Sequence, residues 1–128
     1  MDEKIKEITS KTLVTQEKCA DAVGSGELEV YATPMMVALM ENAAAKVASN
    51  YIPEGCTTVG TAINIKHTAA SPLNAEITAK ATLIETDGRR FLFNVEAYDN
   101  EGKIGEGTHE RFSVKIEKFM EKAKKRLG

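Results

Sequence analysis

The chain has no tryptophan, only three prolines and only two cysteines among 128 residues. Cys19 and Cys56 stand alone, with no CxxC spacing. That excludes a disulfide framework and a zinc-finger pattern, and reads as two reduced thiols in a reducing compartment. Histidine is equally scarce, with only His67 and His109. Two histidines without cysteine or carboxylate ligands at a fixed spacing make no metal site, so no metal or cofactor is expected. Charge of one sign is also missing: 17 basic residues are mixed with 19 acidic ones, for a net charge of −2. A nucleic-acid partner needs a basic face and is therefore not expected. The run Lys122, Lys124, Lys125 and Arg126 reads as a solvated helix end, where the macrodipole favours cations. No apolar run approaches ~18 residues, and the opening MDEKIKEITSK has no apolar signal-peptide core. Neither a membrane span nor a leader is expected, and the cytoplasm is the expected location. The length suits a single domain, 1–128, with one core.

The most informative stretch present is YATPMMVALMENAAAKVASNY, Tyr31 to Tyr51. Thr33-Pro34 reads as a helix N-cap followed by proline at the first helical position. Ile52-Pro53-Glu54-Gly55 then stops the helix. About 17 residues lie between, or ~26 Å of helix. Asn42, Lys46, Ser49 and Asn50 form one narrow polar arc, and nearly everything else is Met, Val, Leu or Ala. Such a helix has to be enclosed. Glu41 falls outside the polar arc, beside Val37, Ala44, Ala45 and Ala48, where a carboxylate is costly unless it is paired or does chemistry.

Around this helix the pattern is β. Ile5 to Glu17 reads as a first strand and Gln16 to Glu29 as a short connector with Gly24-Ser25-Gly26, either a lid over the helix N-terminus or a plain surface connector. Thr57–His67, Ala75–Glu85, Arg89–Tyr98 and Lys103–Ile116 alternate apolar and polar residues, and Asp87-Gly88 and Asp99-Asn100-Glu101-Gly102 read as hairpin turns. Glu117 to Leu127 reads as a polar helix. This segregated order indicates an α+β protein, with a five-stranded antiparallel sheet wrapped around one long helix: the hotdog architecture. The sheet covers only one side of an apolar helix, so a second copy of the chain, in a homodimer, is the expected second cover.

Several residues have two readings each. His67 ends a strand and could serve as a general base or simply bond to the backbone. Thr33 could be a plain cap, or could lie beside helix N-terminal N–H groups that stabilise an oxyanion. Thr33 and Glu41 lie ~12 Å apart along the helix axis and cannot touch within it. Gly60 within a strand marks a close backbone approach. Arg111 could pair with a buried carboxylate or with an anionic group of a ligand.

Three stretches, TPMMVALMENA, TVGTAINIKHTAASP and IGEGTHERFSVKIEKF, resemble the hotdog-fold thioesterases of the fluoroacetyl-CoA thioesterase family, in register from about Val30 to Phe119. The resemblance implies hydrolysis of an acyl-CoA thioester, with Thr33, Glu41 and His67 as the catalytic set and Gly60 and Arg111 at the substrate. It implies no cofactor. The fluoroacetyl-specific enzyme carries a phenylalanine-lined lid before the central helix. Here Gln16 to Glu29 has no phenylalanine, so a small or medium acyl group is expected rather than strict fluoroacetyl specificity. Two other readings stay open at this point: a non-catalytic acyl-CoA-binding module, and a hotdog hydratase or dehydratase acting on enoyl or hydroxyacyl thioesters.

Overall fold

The computed structural model describes residues 4–128; residues 1–3 of the expected single domain lie outside the described residues. The element order is β1 (Glu7–Leu13), a 3-10 turn (Gln16–Lys18), α1 (Ala20–Val23), α2 (Thr33–Ala48), a second 3-10 turn (Ser49–Tyr51), β2 (Cys56–His67), β3 (Glu76–Thr86), β4 (Arg90–Asp99), β5 (Gly102–Lys115) and α3 (Ile116–Lys125). The strands form one antiparallel sheet in the order β1-β3-β4-β5-β2. Short turns account for the β3-β4-β5 neighbours, because sequential strands joined by tight turns pair with each other. β1 and β2 are left as the two edges.

The sheet curves around α2 as the alternation requires. Ile77, Ala79 and Ala81 of β3 and Phe91, Phe93, Val95 and Ala97 of β4 are buried against Met36, Met40, Ala43, Ala44 and Val47 of α2. The alanines on both surfaces let helix and sheet approach closely, while each buried Phe, Met or Ile stabilises the core by about 1.5–3 kcal/mol. The polar arc Asn42, Lys46, Ser49 and Asn50 is exposed, as the sequence indicates. Ser10 Oγ donates to Asn42 Oδ1 at 2.7 Å and ties β1 to that arc.

Two expectations, on the first strand with its connector and on the last strand, need correction. The first strand is shorter than Ile5 to Glu17, and the connector after it is partly helical, built from the first 3-10 turn and α1. α2 is not fully enclosed within one chain, as a sheet covering one side of it implies. Val37, Glu41 and Ala45 are half-buried, and this edge faces β2, whose residues from Gly60 to Asn64 are exposed. The last strand also changes phase. Ile104 is buried, but further along it is His109 and Arg111 that point inward, while Phe112 and Val114 are half-buried. An irregularity in the β4–β5 register at Ala97/Tyr98 explains this, because one extra residue moves every later side chain to the other face.

Candidate active site

Thr33 is the first residue of α2, not its cap. Ala32 is the N-cap, and no side chain caps the helix. The backbone closes the first turn itself: Met35 and Met36 both donate their N–H groups to the Ala32 carbonyl, at 3.0 and 3.1 Å. Pro34 has no N–H, so the Thr33 N–H is left at the positive end of the helix dipole, in place of the several free donors expected. The Thr33 hydroxyl, free of capping duty, lies 2.7 Å from Nδ1 of His67.

His67 is the last residue of β2, and β2 is held at this end because the Thr68 N–H donates to the Ile104 carbonyl at 2.7 Å. The ring packs edge-on to Tyr31, with centroids 6.5 Å apart. Tyr31 is buried, and burial pushes its phenol up to about 12. Burial likewise lowers the His67 pKa below the ordinary imidazole value, with the Ala69 carbonyl partly opposing it. Nε2 of His67 is buried and has no hydrogen-bond partner among the described residues. It is the ring nitrogen left for a group arriving from the adjoining cleft. That cleft has a volume of about 250 Å³ and is lined by Thr33, His67, Tyr31, Ala69, Ala20 and Ser25, among others. Ala20 and Ser25 come from the connector before α2, so that segment forms one wall.

Glu41 belongs to a different group. It is half-buried two turns further along α2, and does not line that cleft. A β-carbon placed on Gly60 would lie 2.9 Å from Glu41 Oε2, 3.1 Å from His109 Cε1 and 3.5 Å from an Nη1 nitrogen of Arg111. Gly60 therefore marks the point where Glu41, His109 and Arg111 converge, which is the close approach its place in a strand suggests. The β2–β5 register is irregular here, between Gly60 and Ala62. Within one chain the five residues form two clusters: Thr33 with His67, and Glu41 with Gly60 and Arg111. His109 and Thr58 complete the second cluster and had not been singled out for the site. The run GTHER carried a signal for His109; Thr58 had none.

Both clusters lie in the region matched by a model of the fluoroacetyl-CoA-specific thioesterase family, which covers residues 14–117. The chain belongs to the fluoroacetyl-CoA thioesterase family. It is 42% identical over 98 residues to the fluoroacetyl-CoA thioesterase of Streptantibioticus cattleyicolor, spanning 77% of this chain and 70% of that one. A solved structure of the fluoroacetyl-CoA thioesterase FlK superposes with a TM-score of 0.89 at 35% identity, covering 98% of this chain and 97% of that chain. A structure of an FlK mutant in complex with fluoroacetate and CoA gives 0.88 at 35% identity, covering 94% and 98%. A Thermus thermophilus hypothetical protein of the thioesterase superfamily gives 0.86 at 29% identity, covering 98% and 95%. As a member of this family the protein is a hotdog-fold thioester hydrolase. The binding-module and hydratase readings give way to hydrolysis.

Proposed function

We propose that this protein hydrolyses a small or medium acyl-CoA thioester to the free acid and CoA. The observation that carries the reading is the 2.7 Å contact between the Thr33 hydroxyl and His67 Nδ1, beside an Nε2 with no partner. Thr33 orients the ring, and a neutral imidazole presents Nε2 to the cleft as the proton-transferring atom. The Thr33 N–H and the helix dipole meet the carbonyl oxygen as it gains charge. Glu41 delivers the attacking oxygen, its own or that of a water it deprotonates, and Gly60 and Arg111 form the floor under the acyl group.

These roles require both clusters in one site, and we infer that a homodimer assembles it. β2 is an edge strand with an open side, and Ile63 in its middle is 40% exposed. Antiparallel pairing of two β2 strands about a two-fold axis through the middle of the strand brings the Gly60 end of one copy beside the His67 end of the other. Glu41 and Arg111 of one subunit then face Thr33 and His67 of the second. The same contact covers the half-buried Val37–Ala45 edge of α2.

No helix among the described residues is long and apolar enough to cross a membrane. We place the activity in the cytoplasm, where acyl-CoA is made and the two free thiols stay reduced. The connector wall of the cleft offers Ala20 and Ser25 rather than aromatic rings, so the acyl group is selected by size more than by fluorine. Thiol release across an acyl-CoA panel, from fluoroacetyl and acetyl upward in chain length, is the direct test. Turnover of several short acyl groups is expected. Hydration of crotonyl-CoA in place of thiol release, or no turnover of any member, would overturn the proposal.

A further inference from the structure

Behind Gly60, one guanidinium donates hydrogen bonds to two residues outside the catalytic set. β5 turns His109 and Arg111 to the same face, two residues apart, and they are only 1% and 8% exposed. Arg111 Nε donates to Thr58 Oγ1 at 2.9 Å, and one terminal nitrogen donates to the Thr58 carbonyl at 2.8 Å. The other, Nη1, meets His109 Nε2 at 3.2 Å, and His109 Nδ1 lies 2.8 Å from the Ala62 carbonyl. A carbonyl only accepts and a guanidinium only donates. The ring therefore carries its single proton on Nδ1, given to Ala62, and offers the Nε2 lone pair to Arg111. Thr58 and Ala62 flank the β2 irregularity, so the strand grips this network on both sides of Gly60.

A buried arginine kept for stability is ordinarily paired with a carboxylate. No carboxylate lies within 4.0 Å of Arg111 among the described residues, and every partner it has is neutral. Its orientation is fixed by neutral partners, and the carboxylate whose charge it feels is Glu41, beyond hydrogen-bond reach across Gly60. Nη1, 3.5 Å from the point where a side chain on residue 60 would begin, is the nitrogen facing the gap beside Glu41.

We propose that His109 and Thr58 are positioning residues, which hold Arg111 so that Nη1 faces the acyl end of the substrate across Gly60. The neutral His109 ring is an obligatory acceptor here, since a doubly protonated ring would set an N–H against the Nη1 donor. Burial first, and the Arg111 charge after it, favour that neutral form against the opposing pulls of the Ala62 carbonyl and of the Glu41 and Glu110 carboxylates. The inference rests on the assignment of Arg111 and Gly60 to the acyl site.

The test is a mutant cycle with acetyl-CoA and fluoroacetyl-CoA as probes, alongside product inhibition by CoA. Arg111→Met is expected to lose roughly 10- to 100-fold in kcat/KM, the scale of a charged hydrogen bond. His109→Phe keeps the ring stacked on Phe93 but cannot accept a hydrogen bond, and is expected to lose a similar factor. The double variant should lose no more than Arg111→Met alone, because the two act as a unit. His109→Gln, whose amide oxygen can accept from Arg111, should recover most of the loss, and inhibition by CoA should stay unchanged throughout. If His109→Phe matches wild type while Arg111→Met is impaired, or if the two losses multiply, the positioning role is wrong. If Arg111→Met itself matches wild type, the acyl-site assignment is what fails. Should His109→Phe not fold, Thr58→Val against Thr58→Ser reads the same network, with loss expected only in the valine variant. Equal activity of those two would overturn the proposal.

Discussion

The Thr33 hydroxyl and the His67 ring, 34 residues apart in the chain, meet at 2.7 Å. A threonine entering a helix usually closes the first turn with its own oxygen. Here Ala32 does that through its backbone carbonyl, and the hydroxyl is released to the histidine.

That division predicts a separation of stability from activity. Replacing a capping threonine by alanine ordinarily costs about 1 kcal/mol. Thr33→Ala should change the thermal midpoint by much less than that cost implies, yet lower kcat by roughly 100-fold or more, the scale of general acid–base catalysis. Thr33→Ser should retain most activity. Calorimetry and steady-state kinetics on the same preparations check this; a large loss of stability with activity kept would return Thr33 to a capping role.

The pH profile should follow His67. Its pKa is lowered by burial, so the neutral, proton-accepting form persists below the ordinary value of about 6.5. The acid limb of kcat/KM should lie below that value. Stability runs the same way: His67 and His109 both bind protons less readily folded than unfolded. The unfolded chain therefore takes up more protons as pH falls through about 6.5, and stability declines from there towards the folded pKa values. An acid limb above 6.5 would argue against His67 as the base.

Gly60 and Gly105 should respond differently to alanine. A β-carbon at Gly60 would meet the Glu41 carboxylate at 2.9 Å, the movable end of a half-buried side chain. Gly60→Ala should therefore fold and lose activity. At Gly105 the new carbon would meet Met36 at 2.7 Å and the Lys66 carbonyl at 2.9 Å inside the core. Gly105→Ala should be destabilised by about 1–3 kcal/mol, the usual scale of overpacking. Denaturant titration of both variants makes the comparison.

Complementation tests the shared site. Thr33→Ala and Glu41→Gln should each be nearly inactive. When the two are unfolded and refolded together, half the dimers mix, and each mixed dimer has one intact site of two, giving about a quarter of wild-type activity. Ile63→Lys on the open strand edge should abolish both the dimer and the activity, as read by light scattering and turnover. Full Thr33→Ala inactivity without rescue on mixing would place the catalytic set within one subunit.

If turnover in ¹⁸O-labelled water leaves label in Glu41, the attacking oxygen is that of the carboxylate and an acyl-enzyme forms. Label in the acid product alone after a single turnover places the attack of water on the acyl carbon, and trapping with hydroxylamine then separates an anhydride on Glu41 from a water that Glu41 activates. In either case Glu41→Gln should lose roughly 100-fold or more in kcat, because an amide neither attacks nor accepts the proton.

Much of this molecule is written locally. The proline and glycine signals bound α2, the period-2 alternation of Ile77 to Leu83 and Phe91 to Ala97 sets two strands facing a core, and the turns at Asp87-Gly88 and Asp99 to Gly102 make them neighbours. These features depend on residues a few positions apart, so they can be read along the chain. The family motifs likewise named Thr33, Glu41, His67, Gly60 and Arg111. What folding alone decided is how those five are divided. An irregular β2–β5 register at Gly60 and another in β4–β5 near Ile104 turn His109 and Arg111 inward, and no alternation of hydrophobicity announces such a phase change. The helix start moved by one residue because the Ala32 carbonyl, not a side chain, satisfied the first-turn donors. That shift frees the Thr33 hydroxyl for His67, and it depends on backbone geometry that composition and spacing do not encode.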